Sequence, residues 1–162
     1  LMAGSQGTMN NLLFGNNAFG YYETIGGGAG AGPGFPGASG VHVHMTNTAI
    51  TDPEILEQRF PVVCREFSLR KGSGGSGRHR GGDGLVREIR FREPVSVSLL
   101  SQSRSRGPAG SHGGGDGRPG VQWIVRADGR RESVPGIVQI ELGPGEGIRI
   151  ETPGGGGWGS PS

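Results

Sequence analysis

Glycine fills 36 of the 162 positions and stands in runs, notably through residues 26–34 and 154–157. Each such run adds backbone entropy that folding must remove, so it calls for a turn or for close approach of a ligand or another chain. With 11 prolines beside the glycines and only 31% hydrophobic residues, the composition nears that of low-complexity disorder. The chain is nevertheless not repetitive. Residues 62–67, 84–91 and 137–142 carry the β-branched residues and the alternation of strands. The expectation is a mostly β (α+β) chain, a glycine-rich antiparallel β region with one short helix, forming a fragment of a larger fold.

Two spans differ in character. Residues 1–50 are small and polar, with short apolar runs at 11–14 and 19–25, and read as a loop-dominated, active-site-like segment. Such a span buries too little apolar surface to offset its conformational entropy and is expected to lie against another domain, a subunit or a ligand. Its opening residues look like the middle of a domain, so a truncated or split chain is expected. Residues 51–162 read as the antiparallel region. Thr51-Asp52-Pro53-Glu54 has the form of a helix start, with a capping side chain, proline in the first turn and an acid at the positive dipole end. From Pro61 onward about six strands alternate with glycine-rich breaks. Asp128-Gly129 predicts a hairpin, and Pro144-Gly145 predicts that residues 137–142 turn back onto residues 147–152.

A net charge of +2, with acids interleaved among the arginines, gives no concentrated face for a polyanion despite a pI near 9.2. Nucleic acid is therefore not an expected partner. The single cysteine, Cys64, cannot form an internal disulfide and is read as a small core residue, which fits a reducing cytoplasm. No run approaches the ~18 apolar residues that span a bilayer, so no membrane partner is expected.

Several motifs invite chemistry. Residues 32–37 satisfy G-x-G-x-x-G, but two prolines and no following helix argue against a dinucleotide site. Residues 72–77 have P-loop glycine spacing, yet Arg78 and His79 replace the lysine and hydroxyl that contact phosphate and magnesium. His42 and His44 lie two apart, so an extended backbone points both imidazoles one way while Val41 and Val43 face the core. That spacing suits an acid/base pair or a chelate; the commoner use is as hydrogen-bonding loop residues beside a buried strand. No third ligand is evident by spacing, so no metal is assigned. Glu23, Asn47 and Asp52 are the polar groups expected to converge with the histidines. The backbone N–H groups of the glycine loops, Gly28 and Gly30 included, could hold a carboxylate or an oxyanion. Trp123 and Trp158 are read as core and interface residues, and His79, His112 and Arg104 to Arg106 as loop residues without a specific signal.

In combination these segments are recognisable. Ser5-Gln6-Gly7-Thr8-Met9-Asn10-Asn11, Tyr21-Tyr22-Glu23-Thr24 followed by the glycine run at 26–32, and Gly40-Val41-His42-Val43-His44-Met45-Thr46-Asn47-Thr48 resemble the hydantoinase B/5-oxoprolinase family. The likeness continues through residues 51–57, Gly81-Gly82-Asp83-Gly84 and Thr152-Pro153-Gly154-Gly155-Gly156-Gly157-Trp158-Gly159, in collinear order. It implies the C-terminal part of a B subunit, or of the B-like half of a 5-oxoprolinase. The implied reaction is ATP-dependent opening of a cyclic amide, 5-oxoproline to glutamate or a hydantoin to an N-carbamoyl amino acid. A hydantoinase A part binds ATP and Mg and phosphorylates the substrate carbonyl, because an amide oxygen leaves poorly; the B part completes hydrolysis. The resemblance puts no cofactor on this segment and associates a divalent metal with a region upstream of residue 1. The partners it implies are the A part, the preceding portion of hydantoinase B and a small cyclic amide, in an oligomer. His42, His44, Glu23 and Asp52 are carried over as catalytic candidates, with Asn47, Gly28 and Gly30 toward substrate. One division makes His44 the general acid/base and His42 the orienting group. Rival readings are a non-catalytic remnant or assembly module, a subunit of a related ATP-dependent ketone carboxylase, and a metal-dependent stand-alone enzyme.

Overall fold

The computed structural model describes residues 2–4, 10–39, 53–101 and 107–160. Strands β1 (Asn10–Gly15) and β2 (Gly20–Thr24) form a hairpin, closed where the Asn16 side chain accepts from the Ala18 N–H. Helix α1 (Pro53–Arg59) follows, then β3 (Val62–Arg70), β4 (Gly84–Phe91), β5 (Val95–Ser101), β6 (Val121–Val125), β7 (Arg131–Ser133), β8 (Ile137–Leu142) and β9 (Gly147–Glu151). The strands make two antiparallel sheets, of order β2-β1-β5-β8 and β3-β4-β9-β6-β7. Alternation sends Leu12 and Phe14 of β1, Val95, Val97 and Leu99 of β5, and Ile148 and Ile150 of β9 into one shared core. The mostly antiparallel class and the single short helix follow the expectation.

Two expectations need correction. The first span, mostly loop where it is described, also supplies β1 and β2, with β1 between β2 and β5 and its inward residues Leu12 and Phe14 buried. Short apolar runs suffice because the partner strand comes from the second span. Seven strands, rather than about six, follow residue 61 among the described residues. The turn at Pro144-Gly145 forms, with Gly145 at φ 82° and Glu146 N–H donating to the Gly143 carbonyl at 3.1 Å, but β8 does not fold back onto β9. It pairs with β5, while β9 lies between β4 and β6. The tight turn carries the chain from one sheet to the other. The Asp128-Gly129 hairpin joins β6 and β7 as expected, with Gly129 at φ 92°.

Beside the sheets, glycine-rich segments outside the strands pack backbone against backbone. Residues 152–159 run among three others: Gly28 N–H donates to the Pro153 carbonyl, Gly155 N–H to Gly82, and Gly157 N–H to Gly115, all at 2.9 Å. A Cβ on Gly28 would lie 1.8 Å from the Gly82 oxygen, and one on Gly155 2.0 Å from the Ala29 oxygen. Only glycine fits such crossings, the same steric logic that governs the axis of the collagen triple helix. Thr152 anchors this bundle to β4, its buried hydroxyl donating to the Gly26 carbonyl and accepting from the Leu85 N–H.

Candidate functional site

Alternation along β2 turns Tyr21 and Glu23 to one face and Tyr22 to the other. Glu23 is fully buried, and its carboxylate accepts from Arg87 Nε at 3.1 Å, Arg87 Nη2 at 3.0 Å and the Tyr21 hydroxyl at 3.0 Å. Arg87 is equally buried, with the Phe67 ring 5.0 Å from its guanidinium carbon. This pair joins the two sheets through their core. Arg87 Nη1 has no hydrogen-bond partner among the described residues. The sequence signal for Arg87 was an arginine at an inward position of β4, between the core residues Leu85 and Ile89.

Many N–H groups of the glycine loops are already engaged within the chain. Besides Gly28 and Gly155, those of Ala29, Ala31, Gly32, Gly154, Gly156 and Gly157 each donate to a protein carbonyl. Gly30 is buried, and a Cβ there would stand 2.1 Å from the Ala3 oxygen. Glycine serves backbone packing in both places. The P-loop-like run is likewise committed: Gly74 N–H donates to Asp83 Oδ1 at 2.9 Å and Gly75 N–H to the Gly155 carbonyl at 2.8 Å. A carboxylate already occupies the place where a phosphate would need those donors, so these residues do not fit a nucleotide.

His42, His44, Asn47 and Asp52 lie outside the described residues, as do Arg104 to Arg106. The fold fixes the chain on either side of the histidine segment. Before it, the Ser39 hydroxyl accepts from the Asp83 N–H at 2.8 Å and Gly37 N–H donates to the Arg80 carbonyl at 2.7 Å. After it, α1 buries Leu56 in the core, and Glu57 Oε1 accepts from the Cys64 N–H at 2.7 Å.

Of the core and interface reading of the tryptophans, the core part is corrected. Neither is in the buried core: Trp123 meets the Arg131 guanidinium, and Trp158 has His79 and His112 with ring centroids 5.8 and 5.1 Å away. His79 Nε2 accepts from the Gly34 N–H at 3.2 Å, and His112 has φ 51°. Cys64 is half-buried and packs against the core. Among the described residues no three His, Cys, Asp or Glu side chains are placed to hold a metal ion, and no helix is long and apolar enough to cross a membrane.

The model of the hydantoinase B/oxoprolinase family matches residues 1–161. The chain is 57% identical over 156 residues to 5-oxoprolinase 1 of Arabidopsis thaliana, covering 96% of this chain and 12% of that protein. It is 51% identical over 157 residues to 5-oxoprolinase of Dictyostelium discoideum, covering 97% and 12%. Among solved structures, the ATP-dependent caprolactamase from Pseudomonas jessenii matches with a TM-score of 0.81 at 24% identity, over 99% of this chain and 30% of that one. This last likeness concerns the fold. The chain thus spans a small part of the length of the relatives it matches.

Proposed function

The chain belongs to the hydantoinase B/oxoprolinase family, and from that premise we propose that it is one part of an ATP-dependent cyclic amide hydrolase opening 5-oxoproline to glutamate. The observation that carries this reading is the 57% identity with a 5-oxoprolinase along 96% of the chain. Such a match spans the histidine segment, the buried ion pair and the glycine bundle together. In this reading, as the family resemblance implies, ATP and Mg belong to a hydantoinase A-type partner. The task left to this part is addition of water to the activated carbonyl and proton delivery to the ring nitrogen that leaves. His44 acts as general acid/base and His42 orients water or substrate, with Asp52 a further catalytic candidate and Asn47 assigned to substrate. Glu23 serves as a positioning residue, tying β2, which leads into the glycine bundle, to β4 of the other sheet. The bundle and α1 hold the two ends of the histidine segment. Work of this kind needs the preceding portion of the B part and the A-type partner, and a cytoplasmic location supplies the ATP.

ADP release and glutamate formation from 5-oxoproline are to be measured with this chain alone, then with an A-type subunit and the missing B portion added. Turnover is expected only in the mixture. There, His44→Ala is expected to lower kcat by about 10²- to 10⁴-fold, the usual worth of general acid/base catalysis. Unchanged turnover in both the His42→Ala and His44→Ala mixtures would remove these residues from the mechanism. An inactive wild-type mixture, beside an intact homologue that turns over and with hydantoin also refused, would overturn the reading.

A further inference from the structure

The two outer sheet faces are built differently. On the five-stranded sheet, Arg149 is paired with Glu66, Glu88 and Glu151, and Arg70 with Glu151, a face made for water. The four-stranded sheet carries large apolar residues outward instead. Tyr22 stands opposite Leu13, and Leu100 opposite Ile137; Leu100 pairs with Asn11, two residues from Leu13, so the four lie on one diagonal across all four strands. All four are exposed, Ile137 by 70%. Shallow depressions of about 410 and 340 Å³ flank the diagonal and meet at Ser98. An antiparallel sheet that faces water on one side normally alternates apolar-in with polar-out, and a contiguous apolar stripe rimmed by polar groups marks an interaction site.

We infer that this face is the docking surface for the rest of a hydantoinase B-type polypeptide. The inference rests on the functional reading above only in taking the chain as one part of a larger enzyme. The occupant follows from length: the matched stretch is 12% of each 5-oxoprolinase relative, so most of such an enzyme is further polypeptide with apolar surface of its own to cover. A face with little charge, Glu141 at its margin bonded to Ser96, suits a permanent interface, which is depleted in charge at its centre.

The test mixes this chain with Arabidopsis 5-oxoprolinase 1 from which the matched stretch has been deleted, reading association by analytical ultracentrifugation and turnover by glutamate formation. The wild-type chain is expected to bind, with slowed amide exchange in β5 and β8. Ile137→Asp and Leu100→Asp are each expected to weaken binding at least about tenfold, as for an interface residue near the centre. Leu69→Asp, an exposed apolar position on the other sheet, is the control and should bind as wild type. Circular dichroism and an unchanged unfolding midpoint establish that Ile137→Asp folds. Wild-type binding by both aspartate variants, no binding by the wild-type chain, or self-association of the chain that Ile137→Asp abolishes would each overturn the inference. Binding that depends on Ile137 without any turnover leaves the docking face standing and counts against the hydrolase reading.

Discussion

Burying a carboxylate and a guanidinium costs several kcal/mol per ion, repaid only when geometry and hydrogen bonding are good. Glu23 meets that condition through two hydrogen bonds from Arg87 and a third from Tyr21, while Arg87 Nη1 has no partner among the described residues. Removing one partner strands the other, so Glu23→Ala is expected to lower unfolding free energy by about 3–5 kcal/mol, and the double substitution Glu23→Leu with Arg87→Met to recover most of it. Urea unfolding of the wild type and the two variants checks this; equal stability of single and double variants would contradict it. Glycines divide just as sharply. Gly28→Ala drives a methyl into the Gly82 carbonyl, whereas a Cβ on Gly20 meets nothing within 4 Å. The first is expected to abolish folding; the second should leave the unfolding midpoint unchanged or slightly raised, because alanine restricts the unfolded chain. Soluble yield and circular dichroism of the two variants distinguish these outcomes. Glu23 stood out in the sequence through its motif, but its partner lies 64 residues away. Separation of that size is invisible to local pattern, which is why the ion pair could not be read from the sequence.

Elements governed by local rules were legible. The Pro53-Glu54 start gives α1, and Asp128-Gly129 gives the β6–β7 hairpin, because proline and glycine fix backbone geometry within a few residues. Which strand pairs with which was not. A turn at Pro144-Gly145 is compatible with a hairpin or with a change of sheet, and burial decides between them: β8 alternates exposed and half-buried residues, whereas β9 is mostly buried between two neighbours. The glycine bundle was legible as a need for close approach, without the identity of what approaches. Leu56 ties the short α1 to the core, so Leu56→Ala is expected to cost about 2–5 kcal/mol, measured by denaturant unfolding. The charged outer face sets a pH dependence. Hydrogen bonds from Ser68 and then Arg149 hold the Glu66 carboxyl below its ordinary value. Its contribution is therefore present above the ordinary glutamate value and lost as pH falls through the lowered one. Because Glu66 is part-exposed, the effect is small, and Ser68→Ala should flatten the loss of stability between about pH 5 and 3.

At the scale of the whole molecule, the two sheets, the ion pair between them and the glycine bundle form a frame in which each end of the histidine segment is tied to a buried element. The family was legible because motif residues keep their order along the chain. The docking face was not, since Tyr22, Leu13, Leu100 and Ile137 become neighbours only through strand register. A frame that completes a hydrolase should work when placed in one. The most direct measurement replaces the matched stretch of Arabidopsis 5-oxoprolinase 1, 57% identical to this chain, with residues 1–162 and follows ATP-dependent glutamate formation from 5-oxoproline. The account predicts a chimera that turns over and is silenced by His44→Ala. A chimera that folds and assembles but releases no glutamate, beside an active parent enzyme, would contradict it.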